Sequence, residues 1–126
     1  VTTTEWTPST GANWNCIDET PASSSDYVTV NANDKIDLYT LTNLVGSINS
    51  VVCVQVQASA KYEGSPTPTK LALVARNGGT NFPSSDITMT TVLTEYVNLW
   101  TQNPDGPAAW DETNVNALAI GIKSRA

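Results

Sequence analysis

Twelve Asp and Glu residues, two cysteines and no histidine make up the chemical inventory of this 126-residue chain. Without histidine there is no Ser-His-Asp or Cys-His machinery, no imidazole metal site and no ordinary general base. Two carboxylate doublets remain, Asp18-Glu19 and Asp111-Glu112. A glycosidase needs two carboxyl groups facing each other across a sugar, about 5 Å or about 6.5–9.5 Å apart. Neighbours on an extended chain point to opposite sides, so neither doublet qualifies alone, and a cross-pair such as Glu19 with Glu112 has no support in the spacing. Asp26, Asp105 and Asp111, with nearby Asn residues, are oxygen ligands of the kind calcium takes. Turns favour the same residues for backbone reasons, and no EF-hand spacing accompanies them. Gly78-Gly79 lacks the flanking pattern of a phosphate loop. The expectation is a non-enzymatic chain without metal or cofactor.

Cys16 and Cys53 read as two separate reduced thiols. A bridge between them is the alternative in an oxidising compartment. Without histidine, two cysteines do not make an ordinary structural zinc site.

The elements that must position these residues are strands. From Ser50 to Lys61 the chain alternates, with Val52, Val54, Val56, Ala58 and Ala60 on one side and Cys53, Gln55, Gln57, Ser59 and Lys61 on the other. That period of two marks a long strand with one dry face. A turn-rich break, Glu63 to Pro68, leads to Lys70–Arg76, so the pair reads as a hairpin-like unit ending at Asn77-Gly78-Gly79. Shorter strands are expected at Tyr27–Val30, Ile36–Leu41, Ile87–Val92 and Thr94–Trp100, with Tyr96 and Trp100 on one face. Trp110 to Asn116 reads as a helical turn capped by Asp111. Ala117–Lys123 is expected as a final strand in the middle of a sheet. About eight strands without a long helix predict an all-β chain, a single antiparallel β-sandwich of jelly-roll type. Residues 1–12 form an extended N-terminal arm or edge strand, and residues 13–126 the sandwich domain.

Thr, Ser and Asn fill about a third of the chain, and only 14% is charged. This composition suits exposed strand faces and turns. The net charge of −6 repels phosphate backbones, so nucleic acid is not an expected partner. The acidic surplus lies in the first fifty residues, where Glu5, Asp18, Glu19, Asp26, Asp34 and Asp37 face only Lys35, and it reads as surface charge. No apolar run approaches the ~20 residues of a membrane span. No signal peptide is visible, and a chain beginning at Val1 reads as processed or trimmed. Trp100 and Trp110 are expected in the core or sealing its edge. Trp6 and Trp14, in polar segments, are the candidates for contact with another subunit. The arm residues Val1, Thr2, Thr3 and Thr4 join them, because an extended arm can add a strand to a neighbouring sheet.

The succession Trp6-Thr7-Pro8, Trp14, Asn15 to Glu19, Asp26-Tyr27 and Asp37-Leu38-Tyr39, then Leu73 to Thr80, Leu99 to Asp105, Ala109-Trp110, Val115-Asn116-Ala117 and Gly121, resembles small virion structural proteins of tailed bacteriophages and prophages. The resemblance spans nearly the whole chain through short pieces. It implies a location in the virion and a structural role for the Arg-x-Gly-Gly and Trp-x-x-Asn-Pro elements, and it carries over no active-site residue. Two positions in the particle follow as expectations. One is a capsid decoration, cement or head-fibre protein bound to the major capsid protein or other virion proteins. The other is a tail-associated receptor-binding or fibre module. Homo-oligomers fit either. A carbohydrate-binding module is the third reading, with a glycan as ligand.

Overall fold

The computed structural model describes residues 3–64 and 68–126, and it is all-β and antiparallel. Its elements run β1 (Thr3–Thr4), β2 (Thr7–Pro8), a 3-10 helix (Asn13–Cys16), β3 (Val28–Thr29), β4 (Ile36–Thr40), β5 (Val54–Ala60), β6 (Lys70–Asn77), β7 (Thr80–Pro83), β8 (Ile87–Thr88), β9 (Thr94–Trp100), α1 (Glu112–Asn116) and β10 (Ala119–Arg125). The larger sheet has the order β1-β4-β10-β6-β7, with β8 also on β6. β5 and β9 form a separate two-stranded ribbon, and β2 pairs β3. No helix among the described residues is long and apolar enough to cross a membrane.

β6 is the central strand because its sequence, Lys-Leu-Ala-Leu-Val-Ala-Arg-Asn, is apolar on both faces, and Leu71 through Ala75 are closed to solvent. A strand covered on both sides needs partners on both edges. β10 supplies one and β7 with β8 the other. The final strand therefore lies in the middle of a sheet, as its small and branched apolar residues predict. The ribbon lies across one face. Val56 and Tyr96 pack on Leu71 and Leu73, with Trp100, Ile120 and Ile122 around them.

The hairpin expected between the two longest strands does not form. β5 pairs with β9 and not with β6, so the two strands belong to different sheets, and Ser65 to Thr67 of the expected turn-rich break lie outside the described residues. An alternating strand suits a cover with one dry face, and a uniformly apolar strand suits the middle of the sheet below. The alternating strand is also shorter than expected. Its register against β9 runs from Val54 opposite Trp100 to Ala60 opposite Thr94. Among the described residues no strand continues the pairing before Val54, and Val52 leaves the inner row and is 83% exposed.

The Arg-x-Gly-Gly and Trp-x-x-Asn-Pro elements meet at one corner. Asn77 Nδ2 donates to Asn103 Oδ1 at 3.1 Å in a buried contact. The Trp110 indole N–H donates to the Trp100 carbonyl at 2.7 Å, and Trp110 packs with Ala75 and Leu118. Asp111 caps α1, accepting from the Asn114 amide at 2.7 Å.

The charge reading needs one correction. Asp37 is not a surface charge, since it is 0% exposed. In antiparallel pairing, opposite residues share a face, so Asp37 and Tyr39 lie on the ribbon side with Ile122 and Ile120. Leu38, between them, is equally buried on the other side. A strand with both faces covered puts its polar residue inside, and that residue must find donors.

Candidate functional site

Asp37 finds four. One oxygen accepts from the Glu5 and Trp6 amides at 2.6 and 2.9 Å. The other accepts from Asn13 Nδ2 at 2.5 Å and the Tyr39 hydroxyl at 2.9 Å. Asn13 Nδ2 also donates to the Trp6 carbonyl at 2.8 Å. One carboxylate thus ties the N-terminal segment and the 3-10 helix onto β4. Burial, and then the Asp37 charge beside it, push the Tyr39 phenol well above its ordinary value.

The neutral phenol is favoured in the fold, so its contribution is present below the unfolded value of 10.0 and is lost as pH rises above it. In a spectrophotometric titration, one phenol should ionise only as the fold opens, and Tyr39→Phe should remove that delayed component. A delayed component that survives the substitution would place the effect elsewhere.

Beyond the Asp37 cluster the same sheet face is left open by the ribbon. An open cleft of about 840 Å³ lies there, bounded by the loop from Trp14 to Val28, the β5 residues Val56–Ser59, the end of β4 and Ile120–Ile122 of β10. The 3-10 helix carries Trp14 into one wall, and the Cys16 thiol behind it donates to the Thr10 carbonyl at 3.1 Å. Ser9 fixes Tyr27, accepting from its amide at 3.0 Å and donating to Asp26 Oδ1 at 3.3 Å. Trp14 and Tyr27 are 53% and 51% exposed. The lining carries Asp18, Glu19, Asp26 and Glu95, and no Lys or Arg among the described residues. A smaller depression of about 270 Å³ lies beside Glu5 and Lys35, whose charges meet at 3.3 Å.

The residues proposed for contact from sequence fall in different places. Trp14 lies on the cleft. Trp6 is half-buried, and its indole N–H donates to the Lys35 carbonyl at 3.2 Å. Thr3 and Thr4 pair with Leu38 and Asp37 of the same chain, so donating them to a neighbour would first require releasing those pairs. Val1 and Thr2 lie outside the described residues. Sequence gives Tyr27, Glu95 and the β5 stretch no contact role, because their proximity comes from segments far apart along the chain.

The carboxylate doublets are not gathered at the cleft. Asp18 and Glu19 line it, whereas neither Asp111 nor Glu112 does. Of the calcium candidates, Asp26 faces Ser9, Asp111 caps α1 and Asp105 approaches Gly78. Among the described residues no three of His, Cys, Asp or Glu converge in a way that could hold a metal ion. Cys16 is buried and Cys53 exposed, and both thiols are free. The site is therefore an acidic, aromatic-walled groove beside a strand edge, which can bind by shape, charge and main-chain pairing. In comparisons with family models, curated proteins and solved structures, the chain matches none.

Proposed function

We propose that this chain is a non-enzymatic structural protein of a tailed-phage virion, seated on the capsid surface as a decoration, cement or head-fibre component. The virion part rests on the ordered sequence features given above. The binding part rests on one observation, the amount of apolar side chain left outside the core. Val45 and Val52 are 88% and 83% exposed, Val92 is exposed just before β9, and Val97 and Leu99 face solvent from the ribbon itself. Val97 and Leu99, two apart on β9, share one outward face of the ribbon, and apolar side chains exposed together there support a face that another protein covers. The layers are unequal, six strands against two, and a jelly-roll relationship between them is part of the same proposal.

A tail-associated module that grips host glycans is the second reading. The observation favouring it is the pair of half-exposed aromatics, Trp14 and Tyr27, on one cleft.

Quantitative mass spectrometry of purified particles, with heads and tails separated, decides between them. The expected result is a simple ratio of this chain to the major capsid protein in the head fraction. A few copies confined to the tail fraction would select the second reading, and absence from both would overturn the virion proposal.

A further inference from the structure

We infer that the cleft receives an extended basic segment of a partner protein, which adds as a strand to the free edge of β5. The inference rests on reading the chain as a binding component of a larger particle, and it names the partner's chemistry.

The first support is geometric. Val56, Gln57, Ala58 and Ser59 all border the cleft. Side chains alternate along a strand, so four consecutive residues meet one space only along the strand's edge. That edge is open. β5 pairs with β9 alone, and among the described residues Val56–Ser59 make no backbone hydrogen bond outside that pairing. Edge strands normally carry a charge, a proline or a bulge that discourages further pairing. The seven residues Val-Gln-Val-Gln-Ala-Ser-Ala of β5 include no charge and no proline. An unguarded edge beside a roomy groove is a template for one more strand.

Charge selects the occupant. Asp18, Glu19, Asp26 and Glu95 surround the groove with no compensating cation among the described residues, so a segment bearing Lys or Arg is matched and an acidic one is repelled. The faces of Trp14 and Tyr27 add a preference for cationic side chains. A second copy of this chain has the wrong character, at a net charge of −6. Four of its six basic residues, Lys35, Lys61, Lys123 and Arg125, already hold carboxylates of their own chain.

The test titrates the full chain with three synthetic peptides and follows heat, tryptophan fluorescence and backbone amide shifts. One peptide alternates lysine and valine, the second alternates glutamate and valine, and the third is the lysine–valine peptide N-methylated at alternate amides. The lysine–valine peptide should bind with shifts centred on Val56–Ser59 and a change in Trp14 emission. The glutamate peptide should bind at least about tenfold more weakly, since several opposed charges meet at once. N-methylation, which removes main-chain donors and leaves the protein untouched, should weaken binding by a similar factor. The triple variant Asp18→Asn, Glu19→Gln, Glu95→Gln should lose most of the difference between the two charged peptides, its fold being verified in the same spectra.

Equal binding of both charged peptides, shifts away from β5, or self-association of the chain through the cleft would overturn the inference. Saturable binding of neutral oligosaccharide in the cleft, with no response to the lysine–valine peptide, would overturn it in favour of a glycan. Peptide binding does not depend on the particle. A chain present in heads at fixed ratio that ignores the peptide defeats only this inference, whereas peptide binding by a chain absent from particles defeats only the virion reading.

Discussion

Asp37→Ala should destabilise the fold by roughly 3–5 kcal/mol, the sum expected when buried donors lose their shared acceptor. The carboxylate is fully buried, and its four donors are two backbone amides, a carboxamide and a phenol, with no Lys or Arg among them. Alanine removes the acceptor of the Trp6 amide and the Tyr39 hydroxyl and leaves the Glu5 amide only the Ile36 carbonyl and Asn13 Nδ2 only the Trp6 carbonyl, at about 1–3 kcal/mol for each unpaired donor that water cannot reach. It also frees the segment before the 3-10 helix, because the Glu5 and Trp6 amides have that carboxylate as a side-chain acceptor. Asp37→Asn keeps the shape but turns an amide NH₂ toward donors. It should therefore fall between wild type and alanine, about 2 kcal/mol down. Urea denaturation measures both. A double-mutant cycle with Tyr39→Phe should return a coupling of at least about 0.5 kcal/mol, since the two groups share a hydrogen bond. A loss under about 1 kcal/mol for Asp37→Ala would mean that water reaches the site and that the cluster does not organise the N-terminal segment.

This residue also shows where sequence reasoning stops. Period-two patterning places Ile36, Leu38 and Thr40 on one side of β4 and so puts Asp37 on the other, which is correct. It says nothing of what covers the other side, and Glu5, Trp6 and Asn13 reach it from more than twenty residues away. Local signals fared well where the physics is local. The Asp111 cap is visible as an acidic residue before a short helix, and the common face of Tyr96 and Trp100 follows from even spacing on one strand. The central position of β10 follows from the apolar run Ala117 to Ile122 that opens it. Strand partners are another matter. β5 chooses β9 across a long stretch of intervening chain, and nothing in either strand's own sequence encodes that choice. The cleft inherits the same difficulty. Trp14 stands out as a large aromatic in a polar segment, but the β5 edge and Glu95 become part of a site only once the layers are stacked.

Gly121→Ala should be the most damaging single-methyl change in the chain. Gly121 lies mid-strand in β10, opposite Leu38 of β4 on one side and Val74 of β6 on the other. A β-carbon built there would overlap the main-chain carbonyl oxygen of Asp37. The obstruction is backbone, so no rotamer change relieves it, and β4 and β10 would have to move apart at the centre of the larger sheet. Overpacking in a rigid core costs roughly 1–3 kcal/mol and occasionally more, and this site belongs at or above the top of that range. Separation would also shift the strand that presents the Asp37 carboxylate, so the substitution should weaken attachment of the N-terminal segment as well. Gly78→Ala provides the contrast. Its β-carbon would meet the Asp105 side-chain carboxylate, the end of a group that can rotate away, and its φ of +54° adds the ordinary left-handed penalty of about 1–2 kcal/mol. Urea midpoints should therefore rank wild type above Gly78→Ala and Gly78→Ala above Gly121→Ala. The reverse order would mean that the β4–β10 approach yields more easily than the turn at Gly78, and that the close strand contact is not what requires glycine at 121.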